Sequence, residues 1–353
     1  MSGNMERILR LMADKGASDI YLSANMPVLI RINGQMLQLS DQLLTPSQPR
    51  QLIAEVLDPK NLAELDESGE LNMAVSISKV GSFRLSAFRQ RGTIAAVFRH
   101  IPHIIPSLDS LNLPPILSKL VMEKRGLILM VGATGTGKST TLAAMLEQRN
   151  MNMAGHILTI EDPVEFLFSN KRSVVNQREV GRDTASLHVA LKNALRQSPD
   201  CILIGEIRDR ETMTAAISYA LSGHLVLATL HANNCAETMD RIINMFPRDQ
   251  HNQIFLDLSQ YLKAIAAQRL VFGKDGKRVA AVEVMMNTPH ISELIKKGDV
   301  TAIKEAIVQS SERNVQSFDA ALYELVKSGR IELEEALNNA DSRTNLEAKI
   351  NFG

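Results

Sequence analysis

One segment of the chain combines glycines with a lysine and a serine at the spacing of a phosphate-binding loop. Residues 132–139 have the sequence GATGTGKS, preceded by an apolar run at 126–131 and followed by helix-forming residues. In the pattern GxxxxGKS, backbone N–H groups surround phosphate oxygens, the lysine reaches the β- and γ-phosphates, and the serine hydroxyl can bind Mg²⁺. The segment therefore predicts a nucleotide site that takes ATP and Mg²⁺. The expected ligand residues are Gly132, Thr134, Gly135, Thr136, Gly137, Lys138, Ser139 and Thr140.

Two acidic residues follow other apolar runs and are candidates for handling the metal and the attacking water. Glu161 follows residues 156–160, and Glu206 follows residues 201–205. Carboxyl ends of parallel strands meet at one edge of a sheet, where ligands bind. We predict that Glu206 binds Mg²⁺ through a water, and that Glu161 orients the water that attacks ATP. Structural alternatives stay open: Glu206 could pair with an arginine at position 208 or 210, and Glu161 could cap a helix.

Two histidines flank a further apolar run, residues 225–230. We predict that His231 and His224 each sense the γ-phosphate or couple subunits, and His224 is also a candidate nucleotide contact. A purely structural role is the alternative for each histidine. Metal binding by these two residues is not expected, because no other group of metal ligands accompanies them.

Arginines in the first hundred residues are candidates for neutralising the charge that develops on the γ-phosphate. P-loop enzymes often take such a guanidinium from outside the nucleotide-binding core. Arg91 and Arg99 are the residues that we expect to act in this way, with Arg84 as the third candidate.

Composition excludes several classes of protein. The chain has 353 residues, 39 Lys+Arg, 39 Asp+Glu and 4% aromatic residues. The balanced charge and the low aromatic content argue against a nucleic-acid partner.

Cys201 and Cys235 stand singly, so neither a disulfide framework nor a zinc site is expected. No apolar run approaches the roughly 18 residues of a membrane span, and no signal-peptide pattern begins the chain. We therefore expect a cytoplasmic protein with peripheral membrane contact only.

Patterning along the first hundred residues predicts an α+β domain with an antiparallel sheet. An amphipathic helix opens the chain, and alternating polar and apolar residues follow it. Asn33-Gly34 predicts a hairpin turn, and Thr45-Pro46 predicts the start of a helix that runs to about Leu57.

After this domain the pattern changes to short apolar runs that alternate with helical segments. That alternation predicts a mostly parallel sheet covered on both faces by helices. The length of the chain agrees with about two domains. The predicted boundaries are 1–100 for the N-terminal domain, 101–114 for a proline-rich linker, 115–290 for the P-loop core, and 291–353 for a C-terminal helical region.

Four segments in this order resemble the secretion ATPases, and within them the type IV pilus retraction ATPases of the PilT/PilU family. They are GATGTGKSTT (132–141), TIEDPVEF (159–166), CILIGEIRD (201–209) and GHLVLATLH (223–231). The resemblance covers nearly the whole chain and implies a RecA-like P-loop ATPase core behind a smaller PAS-like α+β domain. It also implies hexameric assembly and a motor for pilus retraction in twitching motility. By position it implies that Glu161 is the catalytic glutamate and that Glu206 is the Walker B acid.

Two departures from the family pattern indicate a branch within it. Two isolated cysteines cannot build the tetracysteine zinc module that is typical of pilus-assembly and type II secretion ATPases. Residues 290–297, HISELIKK, keep the apolar spacing of the segment AIRNLIRE of retraction motors but lack both arginines. The chain therefore resembles the accessory, PilU-type motors. The resemblance implies a homo-hexamer or a mixed assembly with PilT at the inner face of the bacterial membrane, on a membrane platform protein of the pilus.

Two alternative functions stay open at this point. One is a regulatory nucleotide-binding subunit that depends on a partner motor, which the altered segment at 290–297 would favour. The other is a RecA-like nucleic-acid motor, which the balanced charge disfavours.

Overall fold

A computed structural model describes residues 3–32, 35–78, 80–101, 104–310, 312 and 314–352. The predicted turn at Asn33-Gly34 lies outside the described residues, as does Pro102 of the predicted linker. The chain divides into two compact units. The first comprises residues up to Ile104 together with Glu165–Leu167, and the second comprises Ile105–Val164 and the chain from Phe168 onward.

The first unit is an α+β fold with one six-stranded antiparallel sheet of order β3-β2-β1-β6-β5-β4. Its elements are α1 (Asn4–Asp14), β1 (Asp19–Leu22), β2 (Leu29–Ile32), β3 (Gln35–Gln38), α2 (Gln48–Ala54), α3 (Pro59–Ser68), β4 (Glu70–Ile77), β5 (Gly81–Gln90) and β6 (Thr93–Ile101).

The core of this unit forms where the helices cover one face of the sheet. Met5, Leu9 and Met12 recur at helical spacing along α1 and are completely buried, together with Phe83 and Phe98 of the long hairpin. The antiparallel sheet was therefore predicted correctly.

The predicted start of the second helix was wrong. Helix α2 begins at Gln48, with Pro49 in its first turn, and the Gln48 side chain accepts a hydrogen bond from the Thr45 backbone N–H at 2.6 Å. Pro49 rather than Pro46 therefore occupies the early helical position that proline favours.

The second unit is an α/β fold with helices at its C-terminal end. Its elements are α4 (Ile116–Leu120), β7 (Gly126–Val131), α5 (Lys138–Asn152), β8 (Gly155–Glu161), β9 (Ser173–Glu179), α6 (Leu187–Ala194), β10 (Cys201–Ile204), α7 (Arg210–Leu221), β11 (Leu225–Leu230), α8 (Cys235–Asn244), α9 (His251–Tyr261), β12 (Leu262–Phe272), β13 (Arg278–Met286), α10 (Pro289–Lys297), α11 (Val300–Gln309), α12 (Phe318–Lys327), α13 (Leu333–Asn339) and α14 (Arg343–Phe352).

Its seven-stranded sheet has the order β13-β12-β7-β11-β10-β8-β9, and only the β12–β13 pair is antiparallel. Alternate residues of β7 face opposite sides of the sheet: Leu127 and Leu129 pack with α6 to α9, whereas Ile128 and Met130 pack with α4 and α5. Burial on both faces explains why the strands are continuous apolar runs. The predicted parallel-rich sheet is confirmed.

Three strands of this sheet were not predicted. Strand β9 lies at the sheet edge and carries polar residues, and β12 and β13 extend the sheet on the other side of β7. Strand β12 has Lys263, Gln268 and Arg269 among its apolar residues. Polar residues in a central strand conceal the pattern of continuous burial on which the prediction rested.

Candidate functional site

The segment predicted to bind phosphate joins a buried strand to a helix. The six residues of β7 are buried, and α5 begins at Lys138 directly after the loop. Gly135 and Gly137 have φ values of +80° and +87°, a backbone conformation that residues with a side chain rarely adopt. Gly137 is the N-cap of α5 and offers no side chain to the first-turn N–H groups. These N–H groups and the positive end of the helix dipole form a site for an anion.

The side chain of Lys138, the first residue of α5, is buried against the backbone of the phosphate-binding loop. Its Nζ donates hydrogen bonds to the carbonyl oxygens of Gly132 at 2.7 Å and Ala133 at 2.8 Å. Burial lowers the pKa of Lys138, and the charge of Glu206 opposes that effect. The ammonium group therefore lies among the loop's own carbonyls, with one carboxylate close enough to favour its charge.

The other residues with predicted ligand roles lie on the loop and the first turn of α5. Ser139 is exposed and Thr140 is half-buried. Thr134 is exposed, and the Thr136 hydroxyl donates to the Ala133 carbonyl at 2.9 Å. The Ser139 hydroxyl is thus available at the N-terminus of α5.

The parallel register brings Glu161, Glu206 and His231 to the edge of the sheet where this loop lies. Glu161 is the last residue of β8, Glu206 lies two residues beyond β10, and His231 directly follows β11. Leu230 pairs with Val131, the residue before the loop. The sequence prediction placed these groups at one edge, and the structure has them there.

Glu206 lies between the side chains of an arginine and a histidine. Its Oε2 accepts a hydrogen bond from Arg208 Nε at 2.8 Å, and its Oε1 lies 3.0 Å from His231 Nε2. The hydrogen bond that Arg208 donates to Glu206 raises the pKa of Arg208. The pairing that was one structural alternative for Glu206 is therefore present. The Glu206 side chain is still 22% exposed, so part of its carboxylate remains accessible to solvent.

Glu161 is buried and held by two neighbouring side chains. Its Oε1 accepts hydrogen bonds from Thr159 Oγ1 at 2.6 Å and from Gln177 Nε2 at 3.2 Å. The alternative that Glu161 caps a helix was wrong, because the residue ends β8 and no helix begins after it in the described chain before α6. A carboxylate fixed in this way has a defined orientation at the edge of the sheet.

The oxygen donors at this edge fit a magnesium ion. Mg²⁺ prefers oxygen ligands and usually keeps several waters and substrate phosphates in its coordination shell. The Ser139 hydroxyl and the partly exposed Glu206 carboxylate supply such donors. No cluster of three His, Cys, Asp or Glu residues in the described part of the chain could hold a metal ion. The Ser139 hydroxyl and the Glu206 carboxylate are therefore donors suited to a metal ion that binds together with nucleotide phosphates.

His224 does not lie at this edge of the sheet, where a nucleotide contact within one chain would require it, and its predicted subunit-coupling role stays a prediction. It precedes β11, and its carbonyl accepts a hydrogen bond from the N–H of Gly126 at the beginning of β7. Its ring Nδ1 lies 3.2 Å from the Tyr219 carbonyl oxygen. His224 thus lies at the amino edge of the sheet, a strand length of roughly 20 Å from the loop. It cannot contact a nucleotide held by the loop of the same chain.

The three candidate arginines all lie in the first unit, and two of them are neighbours. Arg84 and Arg99 are directly opposite each other on β5 and β6. Arg99 Nε donates to Asp19 Oδ1 at 2.8 Å, which raises the pKa of Arg99, and Arg84 Nη2 lies 3.6 Å from Glu165 Oε1. Arg91 occupies the turn of this hairpin with φ +47°, roughly 20 Å along the strands from the other two. One phosphate therefore cannot contact all three arginines of a single chain.

Some residues that support the site were not predicted. Thr159 and Gln177 orient Glu161, and Gln268 and Thr141 contact each other behind the phosphate loop. Their shared signal is a polar residue inside a buried strand or in the first turns of a buried helix. Such residues need a hydrogen-bond partner, but the sequence does not show which one they have.

The strand order and the loop at the end of β7 place this protein in the P-loop class of nucleotide-binding proteins. The family described as "Type II/IV secretion system protein" matches residues 3–275. The chain belongs to this family, and within it to the PilT/PilU-type pilus ATPases. Among the described helices, none has the length and apolar character that crossing a membrane requires.

Individual relatives match over nearly their whole length. The type IV pilus ATPase PilU of Pseudomonas aeruginosa is 48% identical over 99% of this chain and 91% of its own. The PilT of the same organism, a type IV pilus retraction ATPase, is 39% identical over 96% of this chain and 98% of its own. A crystal structure of the pilus retraction motor PilT with bound ADP superimposes with a TM-score of 0.91 at 39% identity, covering 98% of each chain.

Proposed function

We propose that this protein hydrolyses ATP to power type IV pilus retraction, as a PilU-type accessory motor that acts together with PilT. The observation that carries the proposal is the meeting of Lys138, Glu161, Glu206 and His231 at one edge of the sheet. The similarity to PilU and PilT over almost the full chain supports the pilus role.

In the proposed site, each residue has one task. Lys138 and the loop N–H groups bind the phosphates, and Ser139 and Glu206 hold Mg²⁺, the latter through a water. When bound, Mg²⁺ neutralises part of the negative charge on the phosphates. Glu161 orients the attacking water, since Thr159 and Gln177 fix its carboxylate. His231, through its contact with Glu206, is suited to report the presence of the γ-phosphate.

The remaining positive charge would come from the first unit. We assign it to Arg99 or Arg91, with Arg84 third. Arg99 bonds to Asp19 through Nε, and its side chain is 57% exposed, so part of its guanidinium is accessible to an anion.

The assembly that we propose is a ring of six chains, either of this protein alone or mixed with PilT. It would act on the membrane platform of the pilus at the inner face of the membrane. The names of the relatives support the pilus role, and closed rotational symmetry is the usual solution for repeated head-to-tail contacts.

A partner-dependent regulatory subunit is the second candidate function. The segment 290–297 favours it, because it lacks the two arginines expected in independent retraction motors. The cluster of Lys138, Glu161 and Glu206 favours hydrolysis. Both properties are compatible with a chain that hydrolyses ATP but retracts a pilus only with PilT.

The test is ATP hydrolysis by the purified chain with and without Mg²⁺, together with the particle mass from light scattering. We expect Mg²⁺-dependent activity in a particle of ring size. For Glu161→Gln we expect a kcat at least about 100-fold lower than that of the wild type, the usual effect of losing a group that acts on the water. Glu211→Gln, a substitution of an exposed glutamate on α7, is the matched control and should retain full activity.

Repeating the assay with PilT and with single-stranded DNA separates the candidate functions. A chain that binds ATP but hydrolyses it only with PilT would be the regulatory subunit. Stimulation by DNA would contradict the pilus function, and full activity of Glu161→Gln would contradict the role of that residue.

A further inference from the structure

Gln268 forms the floor of the phosphate-binding loop. It lies on β12, beside β7, one residue beyond the Ala267–Val131 pair of the sheet. Its position therefore places it next to Gly132, where the loop begins. The side chain is 3% exposed, which is unusual for a glutamine and requires that its amide find partners inside the protein.

Both ends of the Gln268 amide are bonded to residues of the loop or of the helix that follows it. Nε2 donates to the backbone carbonyl of Thr136 at 2.8 Å, and Oε1 accepts from the hydroxyl of Thr141 at 2.8 Å. Thr141 lies in α5 and is 1% exposed. An amide held at both ends has one orientation, so Gln268 connects the loop firmly to α5.

The two outer glycines of the loop lie against the same residue. A Cβ on Gly137 would lie 2.8 Å from Gln268 Nε2, and a Cβ on Gly132 would lie 2.6 Å from the Gln268 carbonyl oxygen. Both distances are too short for a carbon atom. Gln268 therefore explains, in addition to the backbone angles, why these two positions lack side chains.

The bond to Thr136 also sets the direction of a donor on the other side of the loop. The Thr136 carbonyl and the Gly137 N–H belong to one planar trans peptide, so they point in opposite directions. Because Gln268 binds the carbonyl from the side of β12, the Gly137 N–H is turned away from β12 and toward the ligand side of the loop. N–H groups in this orientation are those that bind phosphate oxygens.

We propose that Gln268 is a positioning residue for the phosphate-binding loop, acting through Thr136 and supported by Thr141. This role rests on the proposed function, since it requires a nucleotide in the loop. The role is to hold the loop, because both ends of the Gln268 amide are bonded to Thr136 and Thr141. Its loss should weaken the binding of ADP as well as ATP, because both nucleotides present a β-phosphate to the same N–H groups.

The experiment measures the Kd for ADP by calorimetric titration in the presence of Mg²⁺, with thermal unfolding of each variant as the test of folding. Gln268→Met keeps the length and burial but removes both hydrogen bonds, and should weaken ADP binding about tenfold. Thr141→Val removes only the bond that orients the amide, and should weaken it about threefold.

A double variant distinguishes positioning from general support of the fold. If Thr141 acts through Gln268, the variant with both substitutions should bind ADP as weakly as Gln268→Met alone. The matched control is Asn287→Leu, which removes an amide that donates to the carbonyls of Ser259 and Leu262 at the opposite end of β12. It should change the Tm without changing the Kd.

Each outcome decides the proposal. Unchanged ADP affinity in folded Gln268→Met overturns it, as do fully additive losses in the double variant. If Gln268→Met does not fold, Thr141→Val decides, and wild-type affinity in that variant overturns the role. A wild-type chain that binds no ADP would overturn the proposed function and this role with it, whereas normal wild-type binding with unaffected variants would overturn only the role of Gln268.

Discussion

At the scale of single residues, the buried charge of Lys138 lowers the stability of the folded protein but, in the proposed site, is needed to bind phosphate. Burial lowers the pKa of its ammonium group, so the folded state holds the charged form less favourably than water does. Below its ordinary pKa of 10.5, this lysine therefore subtracts from the stability of the protein. Phosphate oxygens would add to the negative charge that Glu206 provides near Lys138 in the folded chain.

We therefore expect Lys138→Met to raise the Tm while it lowers the affinity for ADP about 100-fold, the value of a charged hydrogen bond. Differential scanning calorimetry and ADP titration check the two effects. Exposed Lys192→Met on α6 is the control and should change neither quantity. A variant that loses both stability and affinity would show that the lysine supports the fold of the loop.

Glu283 is a buried carboxylate remote in sequence from the loop. Its Oε1 accepts a hydrogen bond from the Cys235 N–H at 2.6 Å. Burial raises its pKa above the ordinary 4.5, and the hydrogen bonds with Cys235 oppose this effect. The smaller influences of Asp341 and Arg269 raise and lower the pKa, respectively. Because the folded pKa is the higher one, the contribution of this group to stability is complete below about pH 4.5 and is lost as the pH rises through the folded pKa.

Glu283→Gln should therefore stabilise the protein at pH 8 by about 1 kcal/mol, since the amide keeps an acceptor for Cys235 without a charge to bury. The gain should vanish near pH 4. Urea denaturation across this pH range checks the prediction, with the exposed Glu211→Gln as the control. A gain that grows on acidification would have the wrong sign for a raised pKa.

Which residues the sequence predicts depends on how local their signal is. Lys138 and Ser139 belong to a pattern of eight consecutive residues, so their roles are visible without a fold. Gln268 contacts Thr136 across 132 positions, and no local pattern marks such a pair. The two histidines flank one strand, and only the direction of that strand in the sheet shows that His231 lies at the edge where the loop begins and that His224 lies at the other edge.

At the scale of elements, the strands that run through the centre of the sheet were predictable because both of their faces are buried. Apolar runs in the sequence predicted β7, β8, β10 and β11. These four strands are consecutive in the sheet, in the order β7-β11-β10-β8. Strand β12 carries Gln268 toward the loop and Arg269 toward the C-terminal helices, so its polar residues interrupt the pattern. The functional contacts of this strand are therefore the reason that it was missed.

Arg269 fastens the segment between α13 and α14 to the sheet. Its guanidinium donates to the Asn339 carbonyl at 2.8 Å and to Asp341 Oδ1 at 2.6 Å, and lies 3.8 Å from the centre of the Phe318 ring. Asp319 accepts hydrogen bonds from the N–H groups of Asp341 and Ser342 on the same segment. A planar fork with a stacking face makes all these contacts at once, which an ammonium group cannot do.

Arg269→Lys should therefore lower the free energy of unfolding by about 2 kcal/mol and open residues 339–342 to limited proteolysis. Urea denaturation and mass analysis of the cleavage products measure the two effects. Arg343→Lys is the control, because its pair with Glu334 is exposed and such pairs contribute little. Equal losses in the two variants would contradict a special role for Arg269.

At the scale of the whole molecule, assembly into a ring would change how the ATPase activity depends on the fraction of inactive chains. If subunits hydrolyse ATP independently, inactive Glu161→Gln chains should reduce the activity of a mixture in proportion to their number. If the subunits of a ring act in sequence, one inactive chain stops its neighbours, and activity falls much faster. With half of the chains inactive, a ring of six that needs every subunit would keep about one sixty-fourth of its activity, from the statistics of random assembly.

We expect co-expressed, differently tagged mixtures with half Glu161→Gln chains to retain less than about one fifth of the wild-type rate, the result if an inactive chain stops its neighbours in a closed ring. The ATPase rate is measured against the tag ratio, with Asn287→Leu as the mixing partner in the control series. That series should follow a straight line between the rates of its two components. A straight line in the Glu161→Gln series as well would mean that the chains hydrolyse ATP as independent units, and that any force on the pilus is generated without coupling around a ring.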